Sequence, residues 1–161
     1  MQYTLFNKKL GVYMSNYLFA YATNISEAEM HKHCPNAVFR GYGLLNGFKL
    51  EFCGYTGHAI ATLTKDRNSS VNVAVWEMMP EDYYTIGNFE QFPYMYKREK
   101  VSVLLYGRKL KGDVYLLRQQ LSKGMPSQEY LDLLNNAYIE AGWSTDVIKN
   151  ALKSVQEGEQ K

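Results

Sequence analysis

Five apolar runs follow one another between Ala37 and Glu77, and their texture commits the middle of this chain to β-structure. The runs are Val38-Phe39, Gly41-Tyr42-Gly43-Leu44-Leu45, Phe48-Lys49-Leu50-Glu51-Phe52, Ala59-Ile60-Ala61-Thr62-Leu63 and Val71-Asn72-Val73-Ala74-Val75-Trp76. Each is short and rich in β-branched or aromatic residues. Asn46-Gly47, Gly54, Gly57 and Asp66-Arg67-Asn68-Ser69-Ser70 interrupt them with the chemistry of hairpins and loops. The expectation is several antiparallel strands closing around one core.

The flanks add helices to this β-core. Tyr17-Leu18-Phe19-Ala20-Tyr21 is a continuous apolar run, the pattern of a central strand buried on both faces. Ser26 followed by Glu29 is a capping-box signature, predicting a helix from there toward His33. Pro80-Glu81-Asp82 opens a short helix through Phe89, because proline suits a first turn and acids complement the helix dipole. Strands are expected again over Tyr96 to Tyr106 and Asp113 to Arg118. Pro126-Ser127-Gln128-Glu129-Tyr130 starts a helix with helical apolar spacing that Gly142 ends, and a last helix runs from Ser144. No repeat or linker divides the 161 residues. The class is α+β in a single domain spanning 17–158, preceded by an N-terminal arm or extra strand over 1–16.

Composition narrows the partners. Eighteen basic against 16 acidic residues leave a net charge of +2, too little for a chain held to phosphates by electrostatics, so no nucleic acid is expected. No window approaches the roughly 18 apolar residues of a membrane span, and no signal-type start is present. Cys34 and Cys53 form no CxxC pair, which favours a reducing cytoplasm over a disulfide scaffold or a zinc site. The 14 tyrosines are a surplus of rings with polar tips, suited to a core, a pocket wall or an interface. Oligomeric state is left open.

Two places invite chemistry. Glu90 lies in Asn88-Phe89-Glu90-Gln91-Phe92-Pro93, and apolar neighbours raise a carboxylate's pKa toward the range useful for proton transfer near neutrality. An exposed surface glutamate is the competing reading. The strand-to-helix turn Tyr21-Ala22-Thr23-Asn24 presents backbone N–H groups that form a concavity for an anion; a plain connection is its alternative. Metal ligation is not expected. His31 and His33 stand two apart on a predicted helix and point to different faces, and each cysteine reads as a small buried hydrophobe. Lys97-Arg98-Glu99-Lys100 reads as a solvated edge.

In combination these pieces resemble the γ-glutamylcyclotransferase superfamily, with its AIG2-like members. The family's strand and Phe-Ala-Tyr-Gly-Ser-Asn loop correspond to Phe19-Ala20-Tyr21-Ala22-Thr23-Asn24. Cys34-Pro35, Ala59-Ile60-Ala61-Thr62-Leu63 and Val75-Trp76-Glu77 match later family motifs. Ile86-Gly87-Asn88-Phe89-Glu90-Gln91 matches the segment holding the catalytic glutamate, followed by Tyr96. Pro126-Ser127-Gln128-Glu129-Tyr130 matches the family's Pro-Ser-x-x-Tyr. The resemblance implies a small mixed β-barrel with flanking helices, and release of 5-oxoproline from a γ-glutamyl amine or peptide by intramolecular aminolysis. It implies Glu90 as the acid/base and substrate contacts from Leu18, Phe19, Ala20, Tyr21, Ala22, Thr23, Asn24, Tyr96 and Tyr130. The loop would hold a substrate carboxylate by its N–H groups, with Tyr130 closing the pocket near Glu90, and no metal or organic cofactor is required.

Departures from the family pattern surround that site. Ala22 replaces the loop glycine, Thr23 a serine, Gly87 an aspartate and Gln91 a glycine. A Cβ at Ala22 is costly if the position needs φ > 0. Two readings stay open: a substrate unlike the common γ-glutamyl peptides, or a pocket that binds a small anionic metabolite, a nucleotide or a partner without turnover.

Overall fold

The β-rich middle of the chain forms two long strands, not five short ones. In the computed structural model, residues 16–89, 95–118 and 121–159 are described, which leaves most of the expected arm outside. After β1 (Tyr17–Ala20) and α1 (Glu27–His33) come β2 (Val38–Cys53) and β3 (Ile60–Glu77), paired antiparallel along almost their whole length. Asn46-Gly47, expected to turn the chain, instead stays within β2: Asn46 pairs with Ser70 and Phe48 with Lys65, so the extra residues bulge from β3 at 66–69, inside the expected loop. Gly47 has φ +87°, and its conformational freedom lets β2 pass the β3 bulge while pairing continues. The true hairpin lies at the Gly54 and Gly57 signals, with φ of +126° and +92°.

The remaining elements are α2 (Pro80–Phe89), β4 (Tyr96–Leu105), β5 (Arg108–Leu117), α3 (Gln128–Glu140) and α4 (Asp146–Glu159). β5 starts five residues before the expected Asp113. Tyr106 and Gly107, at φ 49° and 76°, make a tight turn that brings Lys109 and Lys111 opposite Leu104 and Ser102 on the solvent side. Lysines facing water hide a strand from a reading that looks for apolar runs.

The five strands close into a mixed barrel in the order β1, β3, β2, β4, β5. β1 is antiparallel to β3 and parallel to β5, meeting it at Leu18 and Asp113. At this junction the backbones are close: a Cβ on Gly112 would sit 2.7 Å from both Tyr17 O and the Phe19 ring. Phe19, Leu45, Phe52, Val73, Val75, Trp76, Val103 and Val114 are buried in the core on the two faces of this sheet. α3 buries Leu131, Leu134, Ala137 and Tyr138, while α4 packs on β2 through residues such as Ile148 and Val155. Among the described residues four helices thus flank one barrel in a single domain. No helix among the described residues is long and apolar enough to cross a membrane.

Candidate functional site

β1 ends at Ala20, and the chain passes through Tyr21 and Ala22 into a 3-10 turn over Thr23–Ile25. Ile25 N–H donates to Ala22 O at 3.1 Å and Ser26 N–H to Thr23 O at 3.2 Å. The N–H groups of Thr23 and Asn24 precede the first donor of this turn, so they have no acceptor within it. Two long-range bonds fix the segment. Trp76 of β3, fully buried, donates its indole N–H to Asn24 O at 3.0 Å, and the Tyr21 hydroxyl donates to the Tyr115 carbonyl of β5. Ala22 has φ −122°, so the Cβ that replaces the loop glycine's hydrogen meets no left-handed strain.

Beside the turn lies an open cavity of about 280 Å³, at the small end of ligand pockets. Leu18, Phe19, Ala20, Tyr21, Ala22, Thr23 and Asn24 form one wall. Tyr96 at the start of β4 and Tyr130 at the start of α3 face it from elsewhere in the barrel. All nine residues expected to contact substrate therefore line one space. Ser127 caps α3 by accepting from Tyr130 N–H at 3.1 Å, and the Tyr130 hydroxyl accepts from Ala61 N–H at 3.0 Å. Backbone and side chain of Tyr130 are thus both tied down at the cavity wall.

Ile60, Ala61, Met95 and Tyr115 also line the cavity; Ile60 and Ala61 stood in a matched motif but were not expected to contact substrate, and Met95 and Tyr115 were not singled out from sequence. Tyr115 sits in a run apolar on every position, so alternation gives no sign of the face it presents. Glu90 lies outside the described residues, as do Gln91 and the separation of Glu90 from Tyr130. The helix that leads to it is well placed: Ile86 is buried, Asp82 accepts from Met79 N–H at 2.9 Å to cap α2, and the Tyr83 hydroxyl donates to Tyr17 O at 2.7 Å. α2 is thereby pinned to the start of β1, the strand that leads into the cavity wall.

Among the described residues no Asp, Glu, Lys, Arg or His lines the cavity. None of their His, Cys, Asp and Glu side chains form a group of three suited to a metal ion. His31 spends its Nε2 on the Ala37 carbonyl at 3.0 Å, with its ring edge-on to Trp76. Cys34 and Cys53 are free and buried. Burial, with the charge of Asp82 adding to it, pushes the Cys34 thiol up to about 11, which keeps it a thiol rather than a nucleophilic thiolate. The Lys97 to Lys100 run lies on β4 of a closed barrel, not on a sheet edge; Lys100 pairs with buried Asp113 at 3.0 Å, and Arg98 lies over the Tyr83 ring.

A family model described as gamma-glutamyl cyclotransferase, AIG2-like, matches residues 18–134. Among solved structures, one named gamma-glutamyl cyclotransferase aligns with a TM-score of 0.76 at 23% identity, covering 86% of this chain and 86% of its own. An uncharacterized human protein gives 0.76 at 21% identity, over 91% and 99%. A yeast gamma-glutamyl cyclotransferase specific to glutathione gives 0.62 at 15% identity, over 89% and 97%. Identities this low show a shared fold. No curated protein matches by sequence.

Proposed function

The chain belongs to the gamma-glutamyl cyclotransferase, AIG2-like family, and from that premise we propose that it releases 5-oxoproline from a γ-glutamyl amine or peptide. The observation that carries this reading is the single cavity gathering the β1 turn, Tyr96 and Tyr130. Those segments are remote in sequence, and each matches a family motif.

The reaction is an intramolecular aminolysis. The substrate α-amino nitrogen attacks its own γ-carbonyl carbon, the new C–N bond closes the five-membered ring, and the bond to the departing amine breaks. No water enters and no electrons change hands. A free α-amino group has a pKa near 8, so a base must take a proton for attack at neutral pH. The α-ammonium loses one proton to attack and a second as the ring closes, and Glu90 takes them in turn and passes them to the leaving nitrogen, which departs as an ammonium. The Thr23 and Asn24 N–H groups receive the substrate α-carboxylate, as backbone donors at the start of a turn suit an anion. The Tyr130 hydroxyl, oriented by Ala61 N–H, borders the reacting carbonyl. Holding amine and carbonyl in attack geometry supplies much of the rate. Free Cys34 and Cys53 support a reducing compartment, and we place the activity in the cytoplasm.

Incubating the purified protein with a panel of γ-glutamyl amines and peptides, and quantifying 5-oxoproline by mass spectrometry, tests this directly. Turnover of at least one is expected. No 5-oxoproline from any, together with a metabolite released on denaturation, would replace this reading with a pocket that binds a small anion without turnover.

A further inference from the structure

We infer that a second cavity, between α4 and the β3 bulge, is a binding site for a neutral polyol of monosaccharide size. The space follows from two local features. β2 and β3 are paired at Asn46 with Ser70 and again at Phe48 with Lys65, and β3 bulges over 66–69 between these points. Beside the bulge α4 presents Val147, Asn150, Ala151 and Ser154, whose spacing is that of a single helix face. Alanine and serine are too small to fill the gap. A cavity of about 300 Å³ remains, and it shares no described lining residue with the cavity beside the β1 turn. The inference therefore stands apart from the cyclotransferase reading.

The walls carry hydrogen-bonding groups of both kinds. The Ser69 hydroxyl donates to Asp66 Oδ2 at 3.0 Å, which leaves its oxygen to accept. Ser154 Oγ accepts from Lys123 Nζ at 2.7 Å, which leaves its own proton to give. Ser70 and Asn150 add a hydroxyl and an amide, each both donor and acceptor. Charge is balanced: Lys49 Nζ at the wall and Lys123 Nζ lie 3.3 and 3.7 Å from Glu51, and Asp66 supplies the second negative charge. With two cations against two anions, an ionic ligand of either sign loses hydration without net attraction. Leu50, Val71 and Ala151, all buried, back the cavity with apolar surface. The carbon-bound hydrogens of a ring polyol suit that surface, and its hydroxyls match the mixed donors and acceptors around it.

The test titrates the full chain, isotopically labelled for amide NMR, with glucose, myo-inositol and glucose 6-phosphate. Saturable shifts of the Ser69, Ser70, Asn150 and Ser154 amide signals are expected with glucose or myo-inositol, and glucose 6-phosphate should bind no tighter than glucose. Ser70→Ala and Asn150→Ala, both at exposed positions, should each weaken the neutral ligand by about threefold or more with the thermal midpoint unchanged. No saturable shift at those amides with either neutral compound overturns the inference. Tighter binding of glucose 6-phosphate overturns the choice of a neutral ligand, and unchanged affinity in both variants overturns its placing in this cavity.

Discussion

Tyr138 shows how a single side chain can work against its own fold. It is 1% exposed, its ring packs edge-on against Trp143, and its hydroxyl has no hydrogen-bond partner among the described residues. Tyr138→Phe keeps the ring and removes the unsatisfied group, so it should raise stability by about 1 kcal/mol in denaturant unfolding near neutral pH. The same residue sets an alkaline limit. Burial, with Tyr130 nearby, holds the Tyr138 phenol far above the ordinary 10.0, and burial beside Asp113 does so for Tyr83. Above about pH 10 the unfolded chain sheds phenol protons that the native protein keeps, so the stability these two tyrosines contribute is lost as pH rises, adding to the loss that buried Cys34 begins above its ordinary 9.0. Tyr138→Phe removes one of these buried phenols and should flatten the fall above about pH 10; an unaltered slope would contradict this assignment. Sequence showed the surplus of tyrosines but could not sort them. Tyr21, Tyr96 and Tyr130 entered the site through motif matches, whereas Tyr115 required the barrel to reveal which way it faces.

Elements explain why the turn after β1 keeps its shape. The 3-10 segment is only three residues long, too short to hold itself, and Trp76 anchors it from a strand that arrives some fifty residues later. Trp76→Phe removes the indole N–H while keeping most of the ring. It should cost about 1–3 kcal/mol, since Asn24 O loses its buried donor, and should raise KM for any γ-glutamyl substrate more than it lowers kcat. A variant with unchanged KM would show that the turn needs no anchor or does not hold the substrate. Helix starts were legible because their signals are local: Ser26 and Ser127 cap α1 and α3 where the capping residues stand. The β2 and β3 lengths were not, because whether Asn46-Gly47 reverses the chain or runs on within a strand depends on the strand already paired alongside.

At the scale of the molecule, barrel closure turns scattered motifs into a site. β1 must sit between β3 and β5 for Tyr21 to reach Tyr115, and α3 must dock with Tyr130 on Ala61. None of these contacts is local, and sequence alone supplied none of them; the family pattern brought in Tyr21 and Tyr130 without their partners. The mixed barrel with flanking helices was legible in that way, and residue-level reading independently supplied its antiparallel strands and helices. The central claim is that this cavity is the reaction site and Glu90 its base, and Glu90→Gln tests it most directly because the amide keeps the shape and loses the ability to take a proton. Release of 5-oxoproline from the best γ-glutamyl substrate, measured alongside the thermal midpoint, should fall by about a hundredfold or more with the midpoint unchanged. Activity equal to the parent protein's would contradict the account.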